Sequence, residues 1–268
     1  MKILNTSLKK MLAVVLCTVT FMMTSCDEDY RSQSKYPIET FIEDAVTDYD
    51  GNHYNAVRIG NQVWMAENLR TTHYANGDGI QLASYGNGIE DAIPLRYEPF
   101  NKADSVTIYG YLYTWMAVTH GNSSSANPSG VQGICPNGWH VPSIEEYNQL
   151  TTTLKYRDEC QCGTNHTNLA KALAYEKYWT SCNTDCTPGK DMEYNNATKF
   201  SALPVGTYKQ YNGGAESINI SATFWTCSSE GSGTLSKTAF SIHYNEPAPI
   251  TYTNQTWRDG RSVRCVRD

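Results

Sequence analysis

Nine cysteines are the residues of this chain with the most chemistry open to them. Cys160, Cys162, Cys182 and Cys186 share one local window, where thiolates either bridge or bind a metal. Cys-x-Cys followed by Cys-x3-Cys fits structural zinc poorly, since each zinc pair usually encloses about two to four residues. Where the compartment is oxidising, disulfides are the default. Four cysteines then allow three pairings, and the sequence does not choose among them. Cys135 and Cys265 stand apart, one at a helix entry and one near the end of the chain. A bridge between them would close the domain on itself and contribute on the order of 4–5 kcal/mol in the chain-entropy picture. Cys227 is left over, as a small buried side chain or as a partner for one of the four.

Other reactive groupings are sparse. The six histidines (His53, His73, His120, His140, His166 and His243) include no His-x3-His pair, so each reads as a packed or surface residue. Glu145 and Glu146 are neighbours, and neighbours on a helix point apart. There is no Gly-x-Ser-x-Gly elbow and no phosphate loop. Asn76 and Asp78 in Tyr-Ala-Asn-Gly-Asp-Gly are weak calcium candidates beside a plain turn reading. No cofactor is implied. Tyr208, Tyr211, Tyr244, Tyr252 and Trp257 lie in or beside the Gly- and Asn-rich later half. Exposed aromatic faces stack on sugar rings or anchor protein contacts.

The elements that must position these residues centre on Ile134 to Leu150. Pro136-Asn137-Gly138 is turn chemistry. Ser143 with Glu146 three residues on predicts a capping box. Behind it Ile144, Tyr147, Leu150 and Leu154 recur at helical spacing. Upstream, Asp50-Gly51 and Gly60-Asn61 predict hairpin turns around a strand at His53 to Ile59, continued by Val63-Trp64-Met65. Tyr74 to Phe100 and His120 to Gly133 read as loops, separated by a buried aromatic run from Tyr109 to Val118. A second short helix is expected over Asn168 to Ala174. Ala222 to Cys227, Ala239 to Tyr244 and Ser262 to Val266 are expected strands. Strands, central helices and strands again make an α+β reading.

Residues 1–25 carry Lys2, Lys9 and Lys10 before an apolar run, the pattern of a signal peptide. Cys26 follows small residues and resembles the acylated cysteine of a bacterial lipobox, which implies a membrane anchor through lipid. Asp27-Glu28-Asp29 resembles the export tag of Bacteroidetes surface lipoproteins. Residues 26–44 read as an acidic, flexible tether and 45–268 as one domain. Removing residues 1–25 takes away three lysines and no acid, so the net charge moves from −6 to −9. That balance argues against nucleic acid as a partner. Aromatics at 12%, with six tryptophans spread along the chain, make a substantial core available.

Five stretches carry a resemblance to a known family. Gly60-Asn61-Gln62-Val63-Trp64-Met65-Ala66-Glu67-Asn68-Leu69 resembles the opening motif of the Fibrobacter succinogenes major paralogous domain. Cys135 to Ser143 resembles its central motif. Phe200 to Gly206, Phe224-Trp225 and Ser262 to Asp268 resemble its later ones. The Gly138-Trp139-His140-Val141-Pro142-Ser143 start and the Arg264-Cys265-Val266-Arg267 end are also similar to the C-type-lectin-like fold, including its formylglycine-generating-enzyme branch. This implies a Cys135–Cys265 bridge and a small twisted antiparallel sheet framed by two helices, with long loops gathered on one face. The lectin calcium triplets Glu-Pro-Asn and Trp-Asn-Asp are absent from the sequence, and the copper-type cysteine pair of that enzyme branch is not reproduced.

These features make the chain an expected outer-membrane lipoprotein of the cell envelope, surface-exposed and disulfide-stabilised. Its expected role is a non-catalytic binding or adhesion module with a glycan or a surface protein as ligand. The alternatives are a structural envelope component or an enzyme of the formylglycine-generating-like branch.

Overall fold

The computed structural model describes residues 40–83, 93–230 and 235–268. The chain divides into two units, Met1–Pro37 and Ile38–Asp268. The expected signal peptide, Cys26 and the acidic cluster lie outside the described residues. Among the described residues, no helix is long and apolar enough to cross a membrane.

Strands β1 (Thr40–Thr47), β2 (His53–Ile59) and β3 (Gln62–Met65) form an antiparallel meander. Its first turn is stapled by Asp48, which accepts from Asn52 N (2.9 Å), Asn52 Nδ2 (2.8 Å) and the Tyr54 hydroxyl (2.6 Å). Gly60 turns the second with φ at +61°. β4 (Gln81–Leu82) pairs in parallel with β5 (Leu95–Tyr97). Two short helices, α1 (Val106–Tyr109) and α2 (Trp115–Thr119), flank β6 (Leu112–Tyr113). Then come β7 (Trp139–His140), α3 (Ile144–Leu154) and the single turn α4 (Ala170–Leu173). A hairpin of β8 (Thr207–Lys209) and β9 (Gly214–Glu216) precedes the long strands β10 (Ser221–Ser229), β11 (Leu235–His243) and β12 (Ile250–Thr256). The last strand, β13 (Val266–Arg267), inserts between β3 and β7 in the order β1-β2-β3-β13-β7. The fold is α+β, with mainly antiparallel pairing.

Alternation along the strands splits the interior in two. Tyr54, Ala56, Val63 and Met65 face one apolar cluster, while Val57, Ile59 and Trp64 face another. The same parity divides Trp225 and Cys227 from Ala222 and Phe224, and Cys265 from Val266. A strand period of two puts successive side chains on opposite faces, so these strands are buried on both. The helix α3 covers the second cluster. Ser143 Oγ accepts from Glu146 N (3.2 Å) and Glu146 Oε2 accepts from Ser143 N (2.9 Å), which is the reciprocal cap the spacing predicts. Tyr147 then stacks on Phe240 at 4.3 Å and tilts against Trp64 at 4.7 Å. Burying Tyr147, Leu150 and Leu154 contributes roughly 1.5–3 kcal/mol each. Cys135 and Cys265 are bridged, with Cα atoms 5.9 Å apart.

Four expectations need correction. Thr40–Thr47 is a strand, so residues 40–44 belong to the sheet rather than to the tether. Glu43, Asp44 and a register shift between Ile42 and Val46 hide its period in the sequence. Among the described residues only α3 is a long helix; the second expected one is the four residues of α4. β12 was not foreseen. The stretch from Ser262 is mostly irregular, because its backbone bonds first to Thr223 and Trp225 on β10, then to Leu69 and then to Met65 on β3.

Candidate functional site

The five motif stretches meet at two buried side chains, Arg264 and His140. Arg264 is fully buried. Its Nε donates to Asn68 Oδ1 (2.8 Å), Nη1 to the carbonyls of Met65 (2.9 Å) and Phe200 (2.5 Å), and Nη2 to Ser201 O (2.9 Å). The guanidinium also lies over Phe200 at 4.8 Å and Phe224 at 5.5 Å. One side chain thus ties the last motif to the first, the third and the fourth. No carboxylate is among its hydrogen-bond acceptors, and burial pulls its pKa down to about 9. The second is His140, whose Nε2 lies 2.6 Å from Glu146 Oε1 and whose Nδ1 lies 2.7 Å from Asp268 Oδ1. Burial opposes its protonation, but the hydrogen bonds to Glu146 and Asp268 outweigh it, and its pKa is raised. Glu146 Oε2 meanwhile accepts from Ser143 N and from Ser129 N (3.1 Å). Every polar group here is committed to another part of the frame. The motifs build architecture.

The expected aromatic platform does not form. Tyr208 is fully buried and stacks on Tyr97 at 3.8 Å. Both side chains pack against Gly260, where an added Cβ would meet the Tyr97 ring at 2.9 Å and Tyr208 Cβ at 3.0 Å. Trp257 is buried in the first apolar cluster, and Tyr244 is half-buried against the second. Tyr252 is half-buried at 3.0 Å from His243 Nε2. Tyr211 alone stands out, 76% exposed, at the β8–β9 turn, where its hydroxyl donates to Glu216 Oε1 (2.6 Å). Gly and Asn neighbours suggested loops, whereas Tyr208 and Tyr252 sit on strands that turn their side chains inward.

Asn76 and Asp78 serve a turn. Asn76 Nδ2 donates to Asp78 Oδ2 (2.8 Å) and Asn76 Oδ1 accepts from Asp78 N (3.0 Å), around Gly77 at φ +92°. Of the four local cysteines, Cys162 and Cys186 are bridged, and Cys160 and Cys182 belong to neither disulfide. Cys182 lies 3.0 Å from Thr187 Oγ1. Cys227 is a buried thiol that donates to the carbonyls of Ser124 and Val141, and burial pushes its pKa up to about 11.

The aromatic surface lies elsewhere, around Tyr175 and Tyr178. They line an open cleft of about 380 Å3 together with Phe41, Ile108, Leu203 and Glu67. Phe41 is 45%, Ile108 53% and Tyr178 43% exposed. The rings form a train: Tyr175 to Tyr178 at 6.0 Å, Tyr178 to Tyr109 at 5.8 Å, Tyr109 to Phe100 at 5.0 Å. The backbone beneath is pinned. Tyr175 N donates to Ala202 O (2.9 Å), and its own carbonyl accepts from Trp179 Nε1 (2.9 Å) and Asn195 Nδ2 (3.0 Å). Glu67, which lines the cleft, is held by Asn55 N (2.9 Å) and Arg70 Nη1 (3.0 Å). Rigid rings beside fixed polar acceptors suit a ligand with one apolar face and several hydroxyls. The sequence signal was Tyr175-Glu176-Lys177-Tyr178, two aromatics around a charged pair just after a helical turn.

Residues 57–267 match the family described as the Fibrobacter succinogenes major domain, and the chain belongs to it. No curated protein and no solved structure matches the chain.

Proposed function

We propose that this member of the Fibrobacter succinogenes major domain family is a non-catalytic binding module of the cell envelope, which holds a sugar ring of a glycan in the Tyr175–Tyr178 cleft. The observation that carries it is the train of rings opening on a polar rim, on backbone tied to the buried frame. Stacking needs such rings in place before the ligand arrives, because ordering them on binding costs affinity. Glu67, held by Asn55 and Arg70, offers sugar hydroxyls an acceptor. The scaffold reads as C-type-lectin-like, a reading supported by the bridge from the approach of α3 to the segment before β13. Cys26 would carry the lipid that holds the module at the outer membrane, with Asp27-Glu28-Asp29 routing it to the outer face. A protein ligand is the second reading, favoured by the exposed Phe41 on the edge strand β1 beside Ile108.

A glycan array probed with the full chain tests this. Binding should survive chelation, since Asn76 and Asp78 are engaged with each other. Tyr178→Ala should weaken it about tenfold, or ~1.4 kcal/mol, with little change in thermal stability because the ring is partly exposed. Silence across the array, or binding indifferent to Tyr175→Ala and Tyr178→Ala, would remove the sugar reading and leave surface proteins as the ligand class.

A further inference from the structure

A larger concavity, about 620 Å3, opens between the Tyr74–Asp78 turn and the loop of residues 120–133. Its walls are fixed to the frame. Ile134 N donates to Val118 O (2.9 Å), Val141 N to Val131 O (2.8 Å) and Ser129 Oγ to Val141 O (2.6 Å). Gly133 packs so tightly that an added Cβ would lie 2.0 Å from Val118 O. On the opposite wall Tyr74 N donates to Asp78 O (2.9 Å) and Ile80 N to Thr72 O (2.8 Å). Loops are ordinarily the mobile part of a fold, yet these are tied at both ends.

The lining has a definite chemistry. Tyr74, only 5% exposed, meets the exposed ring of His120 edge-on at 3.9 Å. The Tyr74 hydroxyl is buried and has no hydrogen-bond partner among the described residues. Asn122, Ser123 and Gln132 stand exposed around the opening. Among the described residues that line it, none is Asp, Glu, Lys or Arg. An ion entering such a place would lose water with no fixed charge to replace it. A neutral ligand rich in hydroxyls exchanges hydrogen bonds with amides and hydroxyls at little cost and can lay one face on an aromatic ring.

We propose that this cleft is a second ligand site, for a neutral saccharide, so that the module engages a glycan at two places. The proposal extends the sugar-binding reading of the Tyr175–Tyr178 cleft but uses none of its residues. Two weak sites on one rigid body raise the hold on a polymer well beyond either alone, because the second contact becomes intramolecular.

The test is calorimetric titration of the full chain with neutral hexasaccharides of glucose, mannose and N-acetylglucosamine, with a galacturonate hexamer as the charged comparison. Tyr175→Ala with Tyr178→Ala removes the first cleft. His120→Asn with Asn122→Ala alters the second at exposed positions, asparagine being tolerant of the left-handed backbone at His120 (φ +52°). The first double variant should still bind a neutral hexamer and bind the charged one less. Adding the second pair should weaken that remaining binding about tenfold, while circular dichroism and thermal midpoint stay put. Binding abolished by the first pair alone would overturn the second site and leave the first standing. Binding lost only through the second pair would do the reverse. Remaining binding untouched by His120→Asn and Asn122→Ala, or remaining binding that favours the galacturonate hexamer, would also overturn it.

Discussion

The Arg264 frame and the Tyr175–Tyr178 cleft are both built from aromatics and hydrogen-bonding groups, and they differ in where those groups find partners. Around Arg264 every donor reaches a carbonyl or amide of another motif, and the rings are covered. In the cleft the backbone is equally well satisfied, but the side chains stop at solvent. A group with all its partners inside the fold contributes stability; a group held in place with partners missing is available to a ligand. The difference separates the recognisable part of the sequence from the part that, on the proposed reading, meets a ligand.

The largest effect is expected at Arg264. Arg264→Ala strands Asn68 and three carbonyls in the interior, and a loss of about 4–5 kcal/mol is expected in denaturant unfolding. A loss below about 1 kcal/mol would mean that the motifs do not depend on it. Replacing Cys135 and Cys265 together by alanine should cost about 2–5 kcal/mol, again in unfolding and without altering which glycans bind.

At His140 the frame is sensitive to pH. Its folded pKa is raised above the ordinary value of 6.5 by Glu146 and Asp268 against the opposing effect of burial. Its contribution is therefore fully present below about 6.5 and is lost as pH rises through the raised folded value. Unfolding midpoints followed across that window should fall towards the alkaline side, and His140→Gln should flatten the fall. An unchanged slope in the variant would show that another group titrates there.

The smallest effect is expected at Tyr211. Although the most exposed of the five tyrosine and tryptophan candidates, it projects at a hairpin turn away from the cleft lining. Tyr211→Ala should shift neither stability nor glycan affinity beyond about 0.5 kcal/mol. A tenfold loss of binding would move the site to the β8–β9 turn.

Much of the frame was legible because its signals are local. Asp50-Gly51 and Gly60-Asn61 set two turns, and Ser143 with Glu146 capped α3 where the spacing predicts. Other features were hidden for reasons that are equally physical. β1 carries two acids and a register shift, which erase its alternation. Cys162 and Cys186 pair because the chain brings them together, and neither spacing nor composition favours that pairing over two others. Tyr208 looked like a loop aromatic and is core, since Gly260 leaves room for the Tyr97–Tyr208 stack from a distant part of the chain.

By itself, then, the sequence determined the family, the α+β class, the helix start and the hairpin turns, all written in residues close to one another along the chain. Which tyrosines are covered, which cysteines meet and where concave surface remains were decided only by tertiary structure. Exposure and pairing depend on what packs above a residue, and at Tyr208, Cys162 and Tyr175 that neighbour comes from far along the chain.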